Sequence, residues 1–200
     1  MPRNWTLLLT IFFLTAVPEG ASAECTGLNE RSSTQELLAF LRTSKDLPRE
    51  RQDGECLTFA IRHLEYKPSP EAEDLLIDYL DFERPLTQAE KNGFMIHGPI
   101  TESNTYPAIG TLFTFGKSAV PALLSSIEAS TSETFRRTAT HTLMLISRDQ
   151  PPMGIEYLNQ RATDAEPSKA ARLREAARIA VQWCGEKYKK QCEAALREKY

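Results

Sequence analysis

The side chains best equipped for chemistry in this sequence are three histidines, His63, His97 and His141, four cysteines, Cys25, Cys56, Cys184 and Cys192, and a set of carboxylates that includes Glu71, Asp74 and Asp78. A structural zinc site draws its ligands from spacings such as C-x-x-C or H-x-x-x-H. Neither occurs, so no metal and no other cofactor is expected. No G-x-S-x-G turn offers a serine nucleophile, and no cysteine has the surroundings of one. Residues 110–118 read G-x-x-x-x-x-G-K-S, one residue too many between the glycines for a phosphate-binding loop, and the bulky interior from Thr111 through Phe115 would hold a phosphate away from the backbone amides. Glu71, Asp74 and Asp78 share one side of a helix, where a solvated face near a helix N-terminus accounts for them. His63 and His141 fall beside core positions of helices and read as half-exposed helix residues. No catalytic residue is assigned, and binding is the chemistry that remains.

One segment stands apart. Residues 81–104 interrupt the pattern described below, and within them Asn92, Gly93, Phe94, Met95, Ile96, His97, Gly98 and Pro99 form a glycine-flanked apolar loop in a polar setting. Met95 and His97 are its candidate binding residues. The alternative is that Phe94, Met95 and Ile96 fold back over the core.

The N-terminus predicts where the chain works. Arg3 supplies a positive charge, residues 5–17 are apolar, Pro18 and Gly20 break a helix, and Ala21, Ser22 and Ala23 form an A-x-A cleavage site. That order predicts a signal peptide over residues 1–23, with the apolar run too short for the roughly 20 residues that span a bilayer. Glu24 stands where a lipid-modified cysteine at position 25 would need a small residue, so lipidation is not expected. Cleavage removes Arg3 and Glu19 and leaves the net charge at −3, which gives nucleic acid no basic footprint. An exported protein, periplasmic or secreted, with no membrane attachment after cleavage follows. An even number of cysteines in an oxidising compartment points to disulfides. Of the three pairings open to four cysteines we favour Cys25 with Cys56, which ties down the N-terminus, and Cys184 with Cys192, which spans a helix turn.

The elements that must position these residues read as helices. Ser33 to Glu36 is a capping box, Ser69 followed by Pro70 is an N-cap with proline at the first helical position, and Pro151, Pro152 and Pro167 fit helix starts. Thr105 is expected to cap a helix carrying Pro107, and Ser118 one carrying Pro121. Gly116 and Gly185 fit helix stops. Period-two alternation is absent, so strands are not expected.

Self-similarity organises these helices. Ala108, Leu112, Phe115, Leu124 and Ile127, moved forward by 31 positions, land on Ala139, Leu143, Ile146, Ile155 and Leu158. Moved back by 48, Ala108, Leu112 and Leu124 land on Ala60, Leu64 and Leu76, while Phe115 meets Lys67. A further shift of 38 carries Ala139, Leu143, Ile146 and Leu158 onto Ala177, Val181, Cys184 and Leu196. Spacings of three and four place each set on one helix face. Unequal shifts mean loops of unequal length between four similar helix pairs.

Residues 108–124, AIGTLFTFGKSAVPALL, carry an A-x-x-x-L helix ending at glycine and a second helix opening A-V-P-A-L-L, and Arg136, Arg137, Ala139, Leu143 and Ile146 continue as a next first helix. This wording resembles the HEAT repeat, over about 50 residues, and implies an all-α, armadillo-type short solenoid of about four antiparallel helix pairs over residues 24–200. The resemblance further implies a recognition scaffold for a protein partner, with Ser125, Ser126 and Gln160 of second helices lining a groove. The rival reading is an enzyme or metal-dependent binder built on the 92–104 part of the insertion, with His97 and Glu102. A third is a structural subunit of an envelope or secreted assembly, aligned by the acidic stretch over residues 71–83 and the basic Lys187, Lys189, Lys190, Arg197 and Lys199. The identity of the partner and the oligomeric state are not written in these residues.

Overall fold

The computed structural model describes Cys25, residues 27–92 and residues 102–197. The expected signal peptide, residues 1–23, and the binding candidates Met95 and His97 lie outside them. Among the described residues there is no strand. The α-helices are α1 (Thr34–Lys45), α2 (Gly54–His63), α3 (Pro70–Ile77), α4 (Gln88–Lys91), α5 (Glu102–Thr105), α6 (Pro107–Phe115), α7 (Val120–Ala129), α8 (Glu133–Ile146), α9 (Pro151–Asp164), α10 (Pro167–Ala180) and α11 (Gly185–Arg197).

Most starts follow the sequence signals. Ser33 accepts from the Glu36 N–H while the Glu36 carboxylate takes the Ser33 N–H at 2.6 Å, the reciprocal box that opens α1. Ser69 accepts from the Ala72 N–H ahead of Pro70. Two expected caps are corrected. Thr105 ends α5, and α6 begins after Tyr106 without a side-chain cap, so Pro107 alone marks its start. Ser118 lies in the 3₁₀ turn Gly116–Ala119, where its hydroxyl donates to Phe115 O and Glu73 Oε1 instead of capping α7. Gly116, at φ 68°, stops α6 because that backbone conformation excludes most side chains. Gly185, at φ 61°, is the first residue of α11 and not the stop of α10, which ends at Ala180 ahead of the turn Val181–Trp183.

The stripes read from the sequence are in the core. Ala60, Leu64, Leu76, Ala108, Leu112, Ile127, Ala139, Leu143, Ile155, Leu158 and Ala177 are fully buried. Phe115, Leu124, Ile146, Val181 and Leu196 pack against them from partly buried positions. Helix α2 packs on α6, α6 on α8 and α8 on α10; in parallel, α3 packs on α7, α7 on α9 and α9 on α11. Diagonal packing of α7 on α8 and of α9 on α10 joins the two rows. Helix α1, in a stretch without repeat pattern, covers α2 and α3 through Leu37, Leu38 and Leu41, and Tyr79 Oη donates to Leu41 O at 2.5 Å.

The run Pro107–Ala129 has 23 residues and a mean hydropathy of 1.2, enough by length and composition to cross a membrane. Gly116 breaks it into α6 and α7, and Ile109, Leu112, Leu123 and Ile127 point into the core. Two cysteine pairs stand at bonding distance, Cys25 with Cys56 at a Cα separation of 5.3 Å and Cys184 with Cys192 at 6.5 Å. Both separations lie in the range a disulfide requires.

Because Leu112 and Leu143 occupy equivalent buried places on α6 and α8, Leu112→Ala and Leu143→Ala should each cost about 2–5 kcal/mol in urea unfolding. Exposed Gln160→Ala should stay within about 0.5 kcal/mol of the parent. Equal effects at all three positions would contradict the burial pattern.

Candidate functional site

The insertion is rooted by a buried ion pair that spacing alone did not reveal. The side chains of Arg84 and Glu90 are 8% and 6% exposed. Arg84 donates through Nη1 and Nη2 to Glu90 Oε2 and Oε1 at 2.8 and 2.5 Å, and through Nε to Asn104 O at 2.5 Å. Its backbone N–H donates to Thr105 O at 3.0 Å. A guanidinium fork suits this planar, two-toothed grip on a carboxylate. Glu90 also accepts from the Thr87 N–H at 2.8 Å, closing the capping box of α4. One arginine thus joins the two ends of the segment that contains Met95 and His97. The Arg84 hydrogen bonds, then the Thr87 amide, hold the Glu90 carboxyl down at about 2.

The groove candidates divide. Ser125 and Ser126 border a cleft of about 550 Å³ between α3 and α7, with Ile77 and Pro121 as apolar lining and Glu73 and Asp74 as acids. Ser125 is exposed, while Ser126 Oγ donates to Leu123 O at 2.8 Å. Gln160, exposed on α9, is not part of that lining. Of the acids read as one solvated face, Glu71 pairs with Arg42 of α1, Asp78 pairs with Lys45 of α1 at 2.6 Å, and Asp74 faces the cleft. Both pairs are exposed, and pairs of that kind contribute little stability.

Glu102, considered as a partner of His97, stands against His141 of α8. Its Oε2 lies 2.9 Å from His141 Nδ1, and Arg137 Nε lies 3.6 Å from its other oxygen. Nδ1 is buried and makes no directed hydrogen bond, so the contact is a charge pair only when the imidazole is protonated. The imidazole stacks on Trp183 with ring centroids 4.9 Å apart and is 13% exposed. His141 is therefore more enclosed than a half-exposed helix residue, and Trp183 covers it. Burial pushes the His141 pKa below its ordinary value, the Glu102 carboxylate opposes that, and Arg137 adds to it. His63, by contrast, stacks on Phe59 at 3.8 Å on its own helix.

A carboxylate beside an imidazole can fix its orientation, and general-base chemistry then needs a nucleophile whose proton the imidazole can take. The cleft that His141 borders is lined by no serine, threonine or free cysteine. Among the described residues no three His, Cys, Asp or Glu side chains gather closely enough to share a metal. The proximity of His141, Glu102 and Trp183 left no trace in the sequence, because Glu102 belongs to the insertion and the repeat shifts do not register it. Fold and site define an all-helical protein with two cysteine pairs at disulfide distance. Compared with protein-family profiles, with curated proteins and with solved structures, the chain matches none of them.

Two outcomes follow. A carboxyl depressed in the folded state stabilises above its unfolded pKa and loses that contribution as pH falls through the folded one. The stability gap between the parent and Glu90→Gln should hold above pH 4.5 and shrink as pH falls toward about 2, as read by urea titrations at each pH. For His141, with Trp5→Phe leaving Trp183 as the one tryptophan, the emission midpoint on acidification should lie below pH 6.5. Glu102→Gln removes the charge that supports the imidazolium, so it should lower that midpoint further.

Proposed function

We propose that this chain is an exported helical-repeat protein of HEAT-like organisation that serves as a docking scaffold for a protein partner. The observation that carries the reading is the succession of contacts α2–α6–α8–α10 beside α3–α7–α9–α11, in which each helix buries its stripe against the next of its own row. That order resembles a short solenoid, with one departure: α10 also packs on α7, past the intervening pair, where Arg172 Nε donates to Glu128 O at 2.7 Å. Export is supported by the leader-like residues 1–23 and by two cysteine pairs at bonding distance, which persist in an oxidising compartment. On this reading the groove between α3 and α7 is the docking surface, with the Ser125 and Ser126 hydroxyls and the Glu73 and Asp74 carboxylates on its rim. A fold of this type does not name its partner.

Expression in an exporting host tests both halves. The exported chain should begin at Glu24 and carry no free thiol. A photo-crosslinking residue at position 125 should yield a discrete adduct in the exported compartment, whereas one at Gln160 should not. Retention of residues 1–23 defeats export. Equal or absent adducts from the two positions defeat the groove.

A further inference from the structure

A second cleft, of about 380 Å³, lies between α8 and the start of α11, away from the α3–α7 groove. Met144 and Cys184, both nearly fully buried, line its interior, and the rings of Trp183 and Tyr188 line it too. The Cys184–Cys192 pair ties the turn that carries Trp183 to α11, so these walls are held in place. Arg148 and Lys187 stand on the exposed rim.

Both cations rest on rings. The Arg148 guanidinium sits 4.8 Å from the centroid of Phe113, and Lys187 Nζ sits 4.8 Å from that of Tyr188. Such contacts fix a cation without neutralising it. The nearest carboxylate to Arg148, that of Asp149, is 4.0 Å away with both side chains largely exposed, and among the described residues Lys187 has no ion-pair partner. The acid on the lining, Glu186, lies 3.6 Å from Lys189 and is almost wholly exposed. Gly185, Glu186 and Lys187 also belong to the first turn of α11, whose amides have no partner within the helix and favour negative charge. A volume near the lower bound of small-molecule sites admits one ring and a short polar arm.

We propose that this cleft binds an aromatic carboxylate, its ring among Trp183, Tyr188 and Met144 and its carboxylate between Arg148 and Lys187. The site is separate from the docking groove and stands or falls independently of it. A free aromatic acid and the C-terminal aromatic residue of a peptide share this chemistry.

Trp5→Phe protein, with Trp183 as its reporter, would be titrated with phenylacetate, phenylacetamide, phenethylamine and acetate, and phenylacetate retention would be measured in parallel by equilibrium dialysis. Phenylacetate should bind saturably and at least about tenfold more tightly than the other three, since only it joins ring and negative charge. Arg148→Gln and Lys187→Gln, both at exposed positions, should each weaken it about fivefold with an unchanged far-ultraviolet spectrum. Tighter binding of glycyl-phenylalanine than of phenylacetate would support the proposal with a chain end as the source, and weaker binding would support it with a free acid. No saturable binding of phenylacetate by either readout, equal affinity for the amide, the amine or acetate, or undiminished binding by the double variant would overturn it.

Discussion

The burial of an apolar face of each helix against its neighbours, both along and across the two series α2–α6–α8–α10 and α3–α7–α9–α11, is the interaction on which the rest of the structure depends. The principal helices run from 8 to 14 residues, lengths at which an isolated helix in water is marginal even with good capping. Each persists because neighbours cover its stripe, at roughly 1.5–3 kcal/mol for each large aliphatic side chain removed from water. Alanine recurs on the helices packed in succession, as Ala60 of α2, Ala108 of α6, Ala139 of α8 and Ala177 of α10, all fully buried.

Where helices run out of neighbours, the chain adds contacts of other kinds. At the N-terminal end α1 covers α2 and α3, and Cys25 reaches Cys56 at the start of α2. At the C-terminal end Cys192 of α11 reaches back to Cys184. Between α3 and α6, where 29 residues separate Ile77 from Pro107, the arginine–glutamate pair and the Arg84 bond to Asn104 O join the two sides. A bidentate pair so enclosed is geometrically demanding, because either charge alone would be stranded away from water. It ties Glu90 on one side of the insertion to Asn104 on the other.

The open surfaces are where the stripes do not reach. Between α3 and α7 the second helices leave a trough with an acidic and hydroxyl rim, and near α11 the terminal turn leaves a small ring-walled cleft with a cationic rim. Their opposite charge suits them to different ligands, and neither requires the core to change. His141 lies between the two regimes. It belongs to a core helix, yet it is enclosed by Glu102 from the insertion and Trp183 from the terminal turn, so it couples the two irregular parts of the molecule through one imidazole.

By itself the sequence determined the helical class, the α1 and α3 caps, the prolines that open α9 and α10, and the stripe residues, because periodicity and capping are local and each signal lies within a turn or two of what it specifies. It also proposed both cysteine pairings, since few cysteines leave few choices. Thr105 and Ser118 were misread as caps because a hydroxyl before a helix has more than one acceptor or donor to choose from, and only the neighbouring backbone and Glu73 decide which it takes. Tertiary structure alone decided that Arg84 meets Glu90 and Asn104, that Glu102 meets His141, that Trp183 covers that histidine, and that Ser125 lines a groove which Gln160 does not. These are meetings of irregular segments with helices distant in sequence, and they depend on the angle and offset of packed rows, which no spacing along the chain encodes.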